Sequence, residues 1–416
     1  MRILSGRAAE AWVKQLAARS SQFGGAVEPR VRKIVDDVRR NGDRALRKYA
    51  AQWDGLKAGD PLRISENELQ KAWKEVSPPL RAALQQAAAN IRQFCEWQKP
   101  KEWRRTKNGI SLGVLVRPLD SVGCYVPSGR YPLVSTLLMT VIPAQVAGVK
   151  NIRVVSPRPR PEVLAAAGML GVTEFYLVGG AQAIAALAYG TSSTPRVDKI
   201  VGPGNLFVTV AKKLVSFDCA IDMLAGPTEA LIVSDEGHPQ YIAADLVCQA
   251  EHDPETQVAF ITTKRRLADA VALCVKQVAE ENPIAKKSLA KSGAILIASS
   301  KALALDWANR IASEHLTVSS KNVASVQNAG SVFVGDYSAQ AAGDYASGPN
   351  HVLPTAGAAR FRGGLSVMDF VKLITVQELS RSGLRRIAPA IQTLALTEEL
   401  PAHAASVRIR SEAARA

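Results

Sequence analysis

The chain has 416 residues, of which 47% are apolar and 21% charged, and its net charge is +15 at pH 7. That length suggests roughly two to four domains, and the composition excludes disorder over most of the chain. The basic balance favours an anionic partner, whether nucleic acid, membrane surface or a phosphate-bearing cofactor, without choosing among them.

Part of the charge is clustered. Arg30, Arg32, Lys33, Arg39 and Arg40 form one group, Lys99, Lys101, Arg104, Arg105 and Lys107 a second, and Arg408, Arg410 and Arg415 a third. The opening, from Glu10 to about Leu46, reads as helix, with apolar residues at helical steps such as Val31, Ile34 and Val38. Glu10 and Lys14 interrupt any signal-peptide pattern. A second helical run covers Leu69 to Trp97. Beyond Gly109 short β-branched runs alternate with alanine-rich helical ones. The spacing predicts strands at Ser111–Val116, Ser121–Val126, Ile152–Ser156, Phe175–Val178, Lys199–Val201, Ala230–Ser234, Gln257–Thr262, Ala294–Ala298 and Ser331–Val334. Helices are expected between them at Ser135–Ala147, Pro161–Leu170, Ala181–Ala188 and Pro239–Ala250. Such alternation argues for an α/β fold with parallel sheet and right-handed crossovers. The C-terminal stretch is helical and basic, with no strand signal after Thr375, and packs either on its own body or on a neighbouring subunit.

No apolar run is long enough to span a membrane, since Phe175–Tyr189 is broken by Gln182 and paired glycines. Cys95, Cys124, Cys219, Cys248 and Cys274 are scattered and odd in number, which fits reduced thiols in a cytoplasmic protein.

The five histidines concentrate the chemistry. His238 sits in a turn before a helix. His252 follows Gln249 by three residues at the end of a helix that Pro254 stops, so an amide oxygen and an imidazole share a face. His315 follows Glu314 at a helix-to-strand junction, and this pairs the two commonest acid–base side chains. His351 shares with Asp344 a loop rich in glycine and proline, and His403 lies in the tail. Two strand–glycine–helix junctions, at Gly179-Gly180 and Gly202-Pro203-Gly204-Asn205, are places where a backbone admits a phosphate and a helix start offers N–H donors, though the full dinucleotide fingerprint is absent.

Several strings together resemble the histidinol dehydrogenase family. They are Gly-Gly-Ala-Gln-Ala-Ile-Ala-Ala-Leu-Ala-Tyr-Gly-Thr from Gly179, Asp-Lys-Ile-Val-Gly-Pro-Gly-Asn from Asp198, Ala-Gly-Pro-Thr-Glu from Ala225, Gln-Ala-Glu-His from Gln249, Glu314-His315, the run Gly343–Thr355, and Gly-Leu-Ser-Val from Gly364. The resemblance implies two related, incomplete Rossmann-like domains with parallel sheets, a small N-terminal helical segment and a helical C-terminal arm. The implied segments are 1–20, 21–124 with 230–365 (carrying metal and catalytic residues), 125–229 (contacting NAD) and a dimerisation arm, 366–416. It implies oxidation of L-histidinol to L-histidine through L-histidinal with two NAD. Zinc would be held by Gln249, His252 and Asp344 with His403 from a second subunit, in a homodimer with swapped arms. Glu314 and His315 match the catalytic pair: His315 accepts the alcohol proton and Glu314 activates water. Thr228, His351 and Glu398 match substrate-contacting positions, as do the four metal ligands and His315; Tyr125, Gln182 and Asn205 match positions that contact NAD. Two departures remove no functional group: Thr228, where serine is common, and Ser313, where proline often stands. A relative acting on another small alcohol is the nearest rival, disfavoured by the presence of His351 and Glu398. A nucleic-acid binder is a rival from another class, but no recognition motif supports it, and neither nucleic acid nor membrane is expected as a partner.

Overall fold

The computed structural model describes residues 1–19, 24–57, 59–128 and 132–412; Arg415 of the C-terminal basic group lies outside them. In chain order the strands are β1 (Arg2–Ser5), β2 (Arg63–Ile64), β3 (Trp103–Lys107), β4 (Ile110–Pro118), β5 (Ser121–Tyr125), β6 (Asn151–Val155), β7 (Glu174–Tyr176), β8 (Lys199–Val201), β9 (Ala220–Ile221), β10 (Glu229–Val233), β11 (Gln257–Thr262), β12 (Ala294–Ile297), β13 (His315–Val318), β14 (Ser331–Val334) and β15 (Val371–Leu379). They form two six-stranded sheets and one of three strands.

The first large sheet has the order β1-β12-β11-β10-β13-β14 and is parallel throughout. Its inner strands read as apolar runs because helices cover both faces. Ile242, Leu246 and Val271 pack with Phe260 on one side. Val13 and Trp307 pack with Ile261 and Leu316 on the other. The second has the order β2-β7-β6-β5-β8-β9, with only the two-residue β2 antiparallel. One face is covered by the helix Val134–Ala147 with Leu84 and Ile91, the other by Val31, Ile34, Ile184 and Val208. The chain is therefore α/β with two parallel-sheet domains.

All nine expected strands are present, with ends shifted by a residue or two. The sequence missed short edges such as β1, β2 and β9, which are too brief to show periodicity. The N-terminal helix, Gly6–Ala17, is preceded by β1, the edge of the first sheet. The run Leu69–Trp97 is two helices, Glu66–Glu75 and Pro78–Gln98, because Pro78 and Pro79 cannot continue the first but start the second well. The C-terminal arm is not wholly helical. Val371–Leu379 is a strand along its full length, pairing antiparallel with β4 from Val371↔Pro118 to Leu379↔Ile110. Residues more than 250 positions apart supply its partner, so no local pattern reveals it.

Packing also differs from the expected grouping of 21–124 with 230–365. The helices Glu28–Asn41 and Pro78–Gln98 contribute Val31, Ile34, Leu84 and Ile91 to the cores on the second sheet, and β5 is a central strand of that sheet. Apolar faces are satisfied by any sheet within reach, which periodicity cannot specify. Among the described residues no helix is long and apolar enough to cross a membrane.

One buried ion pair braces the second sheet. Lys212 and Asp222 are 2% and 6% exposed and bonded to each other. Lys212 Nζ also donates to Gly202 O (3.0 Å), while Asp222 Oδ2 accepts Gly202 N–H (2.7 Å). Lys212→Met strands the carboxylate in the core, so a loss of about 3–5 kcal/mol is expected in urea unfolding. A variant within about 1 kcal/mol of the native protein would show that the pair is not braced as described.

Candidate active site

The site lies where β10 and β13 begin. The helix Pro239–Ala250 brings Gln249 in its last turn, fully buried; the short helix Gln340–Tyr345 brings Asp344; Glu314 immediately precedes β13 and His315 opens it. Gln249 Nε2 donates to Asp344 Oδ2 (2.9 Å), and His315 Nε2 lies 3.2 Å from Asp344 Oδ1. On its other side His315 Nδ1 is 3.8 Å from Glu314 Oε2 and has no hydrogen-bond partner among the described residues. Phe333 of β14 stacks on the imidazole, centroids 5.8 Å apart, and holds the ring plane. His351 Nδ1 lies 2.7 Å from Asp344 O and Nε2 3.3 Å from Thr136 Oγ1, so both ring nitrogens are engaged.

Glu314 Oε2 accepts the Glu229 backbone N–H (3.0 Å). Glu229, next to Thr228, is buried against Arg19 (Nε to Oε1, 2.6 Å) and accepts Ala356 N–H (2.9 Å). Burial pushes the Glu314 carboxyl up to about 8, helped by the charges of Glu229 and Asp344 and opposed by His315. For His315 burial favours the neutral ring, but Glu314 and Asp344 outweigh it and raise the imidazole above its usual value. Asp344 is also disfavoured by burial, yet contacts from His315 and Gln249 keep it below the ordinary carboxylate range. Burial lowers His351. Neighbouring titratable groups are thus held in different protonation tendencies within one cluster.

The residues expected to contact NAD lie at or just beyond the C-terminal ends of β5, β7 and β8. Tyr125 OH accepts Gly180 N–H (3.0 Å), and Gln182 Nε2 donates to Asp54 Oδ2 (3.0 Å). Asn205 caps the helix Leu206–Val215, its Oδ1 accepting from Phe207 N and Val208 N. Of the N–H donors expected at these helix starts, those of Gly180, Phe207 and Val208 are therefore taken by the chain's own side chains. At Gly202 (φ 110°) a Cβ would stand 2.2 Å from Tyr125 O, so only glycine lets these two turns meet.

The family profile for histidinol dehydrogenase matches residues 17–411. The chain belongs to the histidinol dehydrogenase family. It is 45% identical over 398 residues to the histidinol dehydrogenase of Methanothermobacter thermautotrophicus, covering 91% of this chain and 92% of that one. With that of Listeria monocytogenes it shares 42% identity over 425 residues, covering 99% of each. The crystal structure of histidinol dehydrogenase from Elizabethkingia anophelis superposes with a TM-score of 0.93 at 36% identity, covering 99% of this chain and 98% of that one. Family membership places the chain among oxidoreductases.

Of the residues expected at a histidinol dehydrogenase site, contacts join Gln249, Asp344, His315 and His351 directly and bring Glu314 alongside. His252 is exposed just beyond its helix and lines a cavity of about 520 Å³ with Tyr345, Leu80 and Leu84. Thr228 immediately precedes β10. Glu398 and His403 are exposed on the C-terminal arm and make no hydrogen bond or ion pair to the cluster among the described residues. Sequence reading missed Asp54, Arg19 and Glu229. Glu229 lay within the matched string from Ala225, whereas nothing local marks Asp54 or Arg19.

Gln249 and Asp344 supply oxygen donors of a kind that zinc accepts. Gln249 Oε1 is fully buried yet has no hydrogen-bond partner among the described residues, beside the Asp344 carboxylate. An oxygen left so is costly unless something binds it. No three His, Cys, Asp or Glu side chains are gathered for a metal among the described residues. Of Gln249, His252 and Asp344 only two belong to those types.

Proposed function

We propose that the protein catalyses the last steps of histidine biosynthesis, oxidising L-histidinol to L-histidine through L-histidinal with two NAD. Family membership supports the substrate and product. The observation that carries the assignment of roles is the buried chain Gln249–Asp344–His315 with Glu314 beside it.

In this reading Gln249, His252 and Asp344 hold zinc with His403 from the other subunit of a cytoplasmic homodimer, whose arms are exchanged. When bound, zinc supplies a Lewis acid that anchors the substrate's nitrogens, and NAD supplies the hydride acceptor. Thr228, His351 and the partner's Glu398 orient the substrate together with the zinc ligands and His315. Tyr125, Gln182 and Asn205 face the nucleotide. His315 takes the alcohol proton as hydride departs; its free Nδ1 and its Asp344-held Nε2 give it a site for a proton and a fixed ring. Glu314, in its carboxylate form, then draws a proton from water as water adds to the aldehyde carbon. The hydrate so formed loses a second hydride, and the product is the carboxylate.

Purified protein offered L-histidinol is expected to reduce two NAD per substrate, followed by NADH absorbance against histidine formed by chromatography. Absence of NADH formation with L-histidinol, alongside turnover of another small alcohol, would overturn the assignment.

A further inference from the structure

The nucleotide half of the site is organised by a residue that belongs to neither glycine turn. The helix Asp43–Tyr49 continues into a π-helical turn, Ala50–Asp54, ended by Gly55 in the left-handed region (φ 76°). A π turn is rare and often marks function. Here it carries Asp54, 6% exposed, to the start of the helix Gly180–Tyr189. One oxygen, Asp54 Oδ2, accepts both Gly179 N–H (3.1 Å) and Gln182 Nε2–H (3.0 Å). The next amide, Gly180 N–H, goes to Tyr125 OH (3.0 Å).

An ionised carboxylate only accepts hydrogen bonds. Asp54 therefore holds the Gln182 carboxamide with its NH₂ group inward, which turns Oε1 away from it. That oxygen is buried and has no hydrogen-bond partner among the described residues. Gly180 (φ 61°) passes close to it, and a Cβ there would stand 2.8 Å from Oε1, so a larger residue would push the amide out of this orientation.

We propose that Asp54 is a positioning residue for the nucleotide. It locks Gln182 in the one orientation that offers Oε1 to a hydrogen-bond donor of the bound dinucleotide. The inference rests on the reading that Gln182 faces NAD, and it adds the group that fixes the amide.

Titration of NADH onto the protein by fluorescence, with no substrate present, reads this directly. Asp54→Ala is expected to weaken NADH binding about 10- to 100-fold. In turnover its KM for NAD should rise more than its KM for L-histidinol. Asp54→Asn keeps a carbonyl acceptor and should recover most of the affinity. Gln182→Glu alone sets two carboxylates against each other; combining it with Asp54→Asn lets amide and carboxylate trade places, and should bind NADH better than Gln182→Glu does. Native-like NADH binding by Asp54→Ala, or no recovery in the paired variant, would overturn the role of Asp54 while leaving Gln182 in place. Native-like binding by Gln182→Ala would instead remove the reading on which it rests, and the proposal with it.

Discussion

Glu314→Gln is expected to release one NADH per L-histidinol where the native protein releases two. Glutamine keeps the shape and can still accept the Glu229 N–H, but it cannot take a proton from water. Oxidation of L-histidinal supplied directly should fall by about 10²- to 10⁴-fold, the usual contribution of a general base, while the alcohol step falls far less. The pH dependence follows from burial. The active form is the carboxylate, and burial pushes the group up to about 8, so in the native protein the second oxidation should climb with pH and level off above that value. The amide of the Glu314→Gln variant does not titrate in this range, and the climb should vanish.

Stability should move the other way. A carboxyl whose folded value lies above its unfolded one costs nothing while protonated in both states, below about 4.5, and its full cost appears once pH exceeds about 8. Removing that charge should stabilise the variant at about pH 9, and this should be visible in thermal unfolding. Equal loss of both oxidations would mean that Glu314 is not the hydration base.

The second large effect concerns the arm. His403 and Glu398 are exposed and, among the described residues, make no hydrogen bond or ion pair to the cluster. If a second copy supplies them, His403→Ala should lose zinc, measured by atomic absorption, and lose activity without unfolding. Asp344→Ala should be inactive as well. Co-expressing the two should restore about one quarter of native activity, because half the dimers are mixed and each mixed dimer holds one intact site of two. Arms that stay on their own bodies leave no intact site, so a silent mixture would rule out the exchange.

Much of the site was legible in sequence because its donors are rare types in distinctive surroundings. Glu314-His315 at a helix-to-strand junction and Gln249 in a last helical turn before Pro254 are local patterns, and the structure keeps both. Asp344 and His351 drew notice through a glycine- and proline-rich loop, and the two are indeed joined (Asp344 O to His351 Nδ1). Asp54 was invisible, since it closes a helix and meets its partners 125 and 128 positions away. Arg19 meets Glu229 across 210 positions and was hidden for the same reason.

Strand and helix periodicity, the order of elements and the residue types able to bind a metal or move a proton are properties of short stretches of chain. They determined the α/β class, and the strings that resemble the histidinol dehydrogenase family supplied the remaining candidate residues. Which sheet the N-terminal helices cover, that Val371–Leu379 forms a strand beside β4, and that the glycine-turn amides are already taken were decided only by the tertiary structure. Each depends on a partner distant in sequence, and burial, charge pairing and hydrogen-bond satisfaction take effect only once those partners meet.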